Sequence, residues 1–253
     1  LKNARDNLRH ANAELSRVIE TQQRFLSILS HDVRAPMAGL NNILIDCIEN
    51  EDIFSKEDLL EMVHAAADSS KRLVSFFEDA LVWARTEVGG DGENEQPTSL
   101  SDVVESAMSL LVPLFKNKGV ELVQDTPAGG TALALPNALS TVLRNLLSNA
   151  VKFSEPGSRI FVTGSDQGNR WEISVRDEGV GIRPEQLETL FDPETRQTTL
   201  GTEKEKGAGV GLLLCKSLVE RMGGELRVES ELGRGTRFYF SLPKFDEDWS
   251  NYE

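Results

Sequence analysis

Cysteine is nearly absent: 253 residues carry only Cys47 and Cys215, far apart and each inside an apolar helical pattern. That excludes a disulfide framework or cysteine metal cage and fits buried free thiols in a reducing compartment. No apolar run approaches the roughly eighteen residues a membrane span needs, and the first residues do not read as a secretory leader. A soluble globular piece of a longer protein, starting within it at Leu1, is expected. Basic residues are outnumbered, 27 Lys+Arg against 41 Asp+Glu, and the net charge of −14 opposes attraction to nucleic acid or anionic lipid. Glycine and proline are scarce in the first third: of 20 Gly and 9 Pro, only Gly39 and Pro36 lie within residues 1–88. A helical first part and a differently built second part follow.

In the first part, Leu1, Ala4, Leu8, Ala11, Leu15, Val18, Gln22, Phe25 and Leu29 keep the 3-4 spacing of a coiled-coil seam. The steps become four and four through Leu29 and Val33, a stutter, before the spacing resumes at Pro36, Leu40, Ile43 and Cys47. His31 lies in that stutter. Two residues beyond Leu29 is about 200° around the helix, so its imidazole should point to solvent. After a turn, Ser55 precedes Lys56-Glu57-Asp58 as a capping-box-like start, and Leu60, Val63, Ala67, Ser70, Val74, Phe77, Leu81 and Ala84 continue the spacing. The expectation is an antiparallel helical hairpin. Its long apolar stripe is most economically covered by a second copy, as a homodimeric four-helix bundle.

The run GGDGENEQPTS reads as a linker at 89–97. Beyond it helices are expected near 101–118, 137–153 and 209–222, with strands near 119–124, 131–135, 158–165, 171–177, 224–230 and 235–242. That order implies an α/β two-layer sandwich, a mixed sheet covered by three helices. The polar stretch from Phe191 to Gly207 is expected to be a long mobile lid.

Several residue sets carry chemistry. In Ser30-His31-Asp32-Val33-Arg34-Ala35-Pro36 an exposed imidazole stands beside a carboxylate able to hold its tautomer or take its proton. Asn145 and Asn149 share a helix face with Lys152 one turn on; amide oxygens suit Mg²⁺, and the lysine suits a phosphate. Asp177, at a strand end, is followed by Gly179 and Gly181, which would let backbone approach a flat ligand while the carboxylate accepts from an exocyclic amine such as adenine's. Gly207, Gly209 and Gly211 open an apolar helix, where bare N–H groups favour an anion. Gly233-Arg-Gly235-Thr236 reads first as a structural turn. Each set alone also fits a solvated helix face or an ordinary turn.

Their order resembles that of the sensor histidine kinases of two-component signalling, whose phosphotransfer hairpin precedes an ATP-binding domain related to those of gyrase and Hsp90. His31 and Asp32 match the H-box; Asn145, Asn149, Lys152 and Phe153 the N-box; Asp177, Gly179 and Gly181 the adenine-reading G1 box, with Ile182 after it. Phe191 and Arg196 match the F-box, Gly207, Gly209 and Gly211 the G2 box, with Leu212 after it, and Gly235-Thr236 the last glycine motif. The resemblance implies five parts: a coiled-coil helix at 1–24, a dimerisation and phosphotransfer domain at 25–88, a linker at 89–97, a catalytic domain at 98–245 and a tail at 246–253. It implies ATP and Mg²⁺, autophosphorylation of His31 in a dimer with Asp32 as base and Arg196 at the γ-phosphate, and transfer to an aspartate of a response-regulator receiver. The site would be the cytoplasmic portion of a sensor whose membrane anchor lies upstream, with no nucleic-acid partner.

Two positions depart from the family pattern. Ala35 stands where Thr or Asn commonly positions water, which implies weak phosphatase activity. Glu194 replaces the second F-box aromatic. An ATP-binding regulatory or scaffold module without phosphotransfer is the alternative reading. A clamp-type ATPase of the same superfamily would need a glutamate on the N-box helix, and residues 141–149 contain none.

Overall fold

The computed structural model describes residues 33–34, 36–50, 53–88, 94–127, 129–192, 201–202 and 211–246. The expected coiled coil at 1–24, together with His31, Asp32, Ala35, Arg196, Gly207 and Gly209, lies outside them. Two compact units divide the chain, Leu1–Ala80 and Leu81–Glu253.

The first unit contains helix α1 (residues 36–49) and most of helix α2 (Lys56–Val88). A reciprocal capping box starts α2: the Asp58 N–H donates to Ser55 Oγ at 3.1 Å, and the Ser55 N–H donates to Asp58 Oδ2 at 3.0 Å. Ser69 Oγ donates to the Pro36 carbonyl at 3.4 Å, and Cys47 Sγ lies 3.9 Å from Met62 Sδ. Residue numbers rise on one helix as they fall on the other, so α1 and α2 are antiparallel. On α2, Ala66 and Ser69 are buried, whereas Leu60, Val63, Val74 and Phe77 are 56%, 53%, 55% and 49% exposed. The 3-4 stripe at 60, 63, 74 and 77 is therefore not the contact with α1; the row one residue earlier is.

In the second unit a short ribbon pairs β1 (Gln96–Ser99) antiparallel with β3 (Thr131–Ala134). Two residues of the segment expected as linker, Gln96 and Pro97, are thus strand. Next comes α3 (Leu100–Lys118), whose N-cap Ser99 accepts from the Asp102 N–H, and which ends at Gly119 with φ 66°. The main sheet contains β2 (Glu121–Asp125), β4 (Arg159–Asp166), β5 (Arg170–Asp177), β6 (Leu226–Glu231) and β7 (Gly235–Pro243) in the order β2-β4-β5-β7-β6. Only the β2–β4 pair is parallel, so the sheet is mixed. Helices α4 (Pro136–Phe153) and α6 (Gly211–Arg221) complete the domain, with one turn, α5 (Pro184–Leu187), between β5 and α6.

The core lies between α4 and the sheet. Leu139, Leu143, Leu146 and Leu147 of α4 are fully buried, as are Phe240 and Leu242 of β7. Each such side chain contributes roughly 1.5–3 kcal/mol relative to exposure. Strand alternation then positions the chemistry: Ile173 and Val175 face the core, so Asp177, two further on, faces it as well, while Arg176 is exposed.

Candidate functional site

Asp177 is 5% exposed at the end of β5. The β5–β7 register sets Arg176 opposite Arg237, and the next rung brings Thr236 alongside Asp177. Asp177 Oδ1 accepts the Thr236 N–H at 3.1 Å and the Gly179 N–H at 2.9 Å. Burial, which disfavours the charged form, outweighs these bonds and pushes the carboxyl up to about 6. A buried acceptor at a strand end, fixed by two backbone donors, can read an amine on a ligand.

The glycines after it are required by space. A Cβ on Gly179 would stand 2.2 Å from the Phe153 carbonyl oxygen, and one on Gly181, at φ +69°, 2.1 Å from that of Glu231. The Val180 N–H donates to the Phe153 carbonyl at 3.1 Å, so this turn is docked on the end of α4. Ile182 donates its N–H to Ser230 Oγ at 2.8 Å, and that hydroxyl donates to the Gly235 carbonyl at 2.9 Å. Thr236 Oγ1 lies 2.9 Å from the same hydroxyl, so Ser230 ties the glycine turn before β7 to the turn after Asp177.

On α4, Asn145 Nδ2 donates to the Thr141 carbonyl at 3.0 Å, and its Oδ1 faces Gly211, where a Cβ would stand 2.5 Å away. Asn149, Lys152 and Phe153 are half-buried further along α4. The Lys152 ammonium stands 4.5 Å from the centre of the Phe153 ring, and Lys216 of α6 stands 5.6 Å from that of Phe191. Leu212, beside Gly211 in the first turn of α6, is half-buried. Among the described residues no group of three or more His, Cys, Asp or Glu side chains is placed to hold a metal ion.

The structure thus joins Asn145 to Gly211, Phe153 to Gly179 and Val180, and Asp177 to Thr236. Sequence reasoning missed Ser230, which binds three backbone or side-chain partners from one small hydroxyl. No spacing marks it, since its role depends on β6 lying beside β7.

Residues 134–246 match the model of the histidine kinase-, DNA gyrase B-, and HSP90-like ATPases. The match spans 113 of the 253 residues, under half of the chain. The chain as a whole is similar in sequence to sensor histidine kinases. It is 29% identical over 249 residues to the autoinducer 2 sensor kinase/phosphatase LuxQ of Vibrio parahaemolyticus, covering 94% of this chain and 28% of that protein. Its identity to the adaptive-response sensory kinase SasA of Prochlorococcus marinus is 30% over 246 residues, covering 95% of this chain and 62% of that protein. The chain therefore spans less than two thirds of either relative. Among solved structures, full-length ShkA in complex with AMPPNP superposes with a TM-score of 0.59 at 26% identity, over 90% of this chain and 46% of that one. Histidine kinase ThkA in complex with response regulator TrrA shares the fold, with a TM-score of 0.68 at 19% identity over 92% of this chain and 64% of that one.

Proposed function

We propose that this sensor histidine kinase core transfers the γ-phosphoryl group of Mg²⁺-bound ATP to His31 and then to an aspartate of a response-regulator receiver. The observation that carries the reading is the buried Asp177 carboxylate, held by the Gly179 and Thr236 N–H groups at the docked glycine turn. Its second oxygen would accept the adenine amine. Lys152 and Arg196 would offset phosphate charge, and Gly207, Gly209 and Gly211 would leave backbone N–H groups for the phosphates. Gly179, Gly181, Ile182, Leu212, Phe153 and Thr236 would line the nucleotide.

The residues fit a magnesium ion: Asn149, with Asn145 one turn earlier, offers the hard amide oxygens that Mg²⁺ accepts alongside water and phosphate. When bound, the ion would neutralise charge between the phosphates. His31 would attack the γ-phosphorus in line, forming the N–P bond as the bridging P–O bond breaks and ADP leaves. Asp32 would take up the imidazole proton.

A homodimer is supported by the apolar stripe of α2, where Leu60, Val63, Val74 and Phe77 stay about half exposed in one copy. The hairpin would pair with a second copy as a four-helix bundle. The receiver partner is supported by the ThkA complex with a response regulator, which shares this fold. The domain limits at 25–88 and 98–245 belong to the same reading. Among the described residues no helix is long and apolar enough to cross a membrane, in keeping with a cytoplasmic portion of an anchored sensor.

Incubation with γ-labelled ATP tests the reading. Acid-labile label on the wild type and none on His31→Gln supports it; nucleotide binding without label supports a regulatory module instead. Ala35 further implies slow dephosphorylation of a phosphorylated receiver. Rapid phosphate release by the wild type would overturn that part.

A further inference from the structure

The C-terminal end of α4 leaves carbonyls without intrahelical partners. Three consecutive ones are held by groups from three other parts of the second unit. The Phe153 carbonyl takes the Val180 N–H of the glycine turn. That of Lys152 takes the Lys118 ammonium at 2.8 Å and the Thr202 backbone N–H at 3.1 Å. The Ser154 carbonyl takes the Thr202 hydroxyl at 2.9 Å. Lys118 is only 5% exposed, although it comes from the last turn of α3. A cation so buried needs close acceptors, and a helix C-terminus is where carbonyl dipoles favour one.

We infer that Lys118 and Thr202 are positioning residues for the nucleotide site. By holding the carbonyls of Lys152 and Ser154 they fix the turn that presents the Lys152 ammonium and the Phe153 carbonyl. Through the Phe153 carbonyl they also fix the glycine turn beside Asp177. Both would act through the backbone they hold rather than by contacting nucleotide. A small rotation of this turn swings the end of the long Lys152 side chain, and a displacement of about 1 Å is enough to weaken a positioned contact substantially. The inference rests on the reading of this domain as an ATP site.

The test uses the full chain and three variants: Thr202→Val, which keeps the shape but loses the hydroxyl, Thr202→Ser, which retains it, and Lys118→Met. ADP affinity is measured by calorimetry, the KM for ATP and kcat by label incorporation, and the thermal midpoint without nucleotide. The removed hydrogen bond should make Thr202→Val bind ADP about fivefold to tenfold more weakly, with a matching rise in KM and kcat within about twofold. The thermal midpoint should barely move, and Thr202→Ser should restore affinity to within about twofold of wild type. Lys118→Met, assayed below its own unfolding transition, should weaken binding by about tenfold or more, because its bond is charge-assisted. Unchanged affinity in Thr202→Val, or a serine variant as impaired as the valine one, would overturn the inference while leaving the ATP site intact. A wild-type chain that binds no adenine nucleotide would overturn both.

Discussion

Asp177 and Thr236, 59 residues apart in sequence, meet through a 3.1 Å bond from the Thr236 N–H to Asp177 Oδ1. The Gly179 N–H donates to the same oxygen, so one buried carboxylate fixes the strand end, the glycine turn after it and the start of β7. Burial outweighs this support and raises the carboxyl to about 6. The site holds an acceptor that is costly to keep ionised, which makes Asp177 a candidate ligand contact.

Asp177→Asn keeps an oxygen for both N–H donors and removes the desolvated charge. A shift from 3.8 to about 6 corresponds to on the order of 3 kcal/mol at neutral pH, so the variant should gain stability by an amount up to that order. Adenine nucleotide binding should be lost, because an amide nitrogen would face the adenine amine. Thermal unfolding and calorimetry are both needed; a variant less stable than wild type would show that the carboxylate is structural.

The same group sets a pH dependence. Its folded pKa lies above its unfolded one, so its contribution to stability is most favourable below about 4 and declines as pH rises from about 4 through 6. Nucleotide affinity moves the other way: the accepting carboxylate is lost below about 6, and ADP binding should fall there by up to about tenfold per pH unit. Calorimetry from pH 5 to 8 checks this, and a flat profile for the wild type would remove Asp177 from the contact.

Gly181 and Gly168 offer a matched pair. Both have positive φ, +69° and +85°, but a Cβ on Gly181 would stand 2.1 Å from the Glu231 oxygen whereas one on Gly168 would meet nothing within 4 Å. Gly168→Ala should cost about 1–2 kcal/mol from backbone strain alone. Gly181→Ala adds a clash with backbone and should cost more than about 3 kcal/mol, as overpacking adds to the strain. Urea denaturation distinguishes the two.

Ser154 carries a buried hydroxyl with no hydrogen-bond partner among the described residues. Its role at the end of α4 uses the carbonyl instead. Ser154→Ala should therefore be neutral or stabilising by up to about 1 kcal/mol, since an unsatisfied buried polar group is removed. A clear loss of stability in urea denaturation would mean that the hydroxyl is held by a buried water.

The motifs were legible because each joins a local geometric need to a residue type: glycine where backbone comes close, a carboxylate at a strand end, amides one turn apart on α4. Less was legible where composition is uninformative. β1 consists of Gln96 to Ser99 and reads as linker, yet it is strand because β3 offers it an edge. On α2 the 3-4 stripe at Leu60 and Val63 is real, but the contact with α1 uses Met62, Ala66 and Ser69. Spacing marks an apolar face without saying which neighbour covers it.

Periodicity and residue type alone set Asp177 at a strand end and Asn145, Asn149 and Lys152 along one helix, since side-chain direction repeats regularly in a strand or helix. Which distant backbone groups meet those residues, by contrast, is set by how the domain packs. Thr236 and Ser230 reach the site through the order β5-β7-β6, and Lys118 and Thr202 through the packing of α3 and the segment 201–202 on the end of α4. Pairings between distant segments depend on how the apolar faces bury one another, and that is a property of the whole domain rather than of any local stretch.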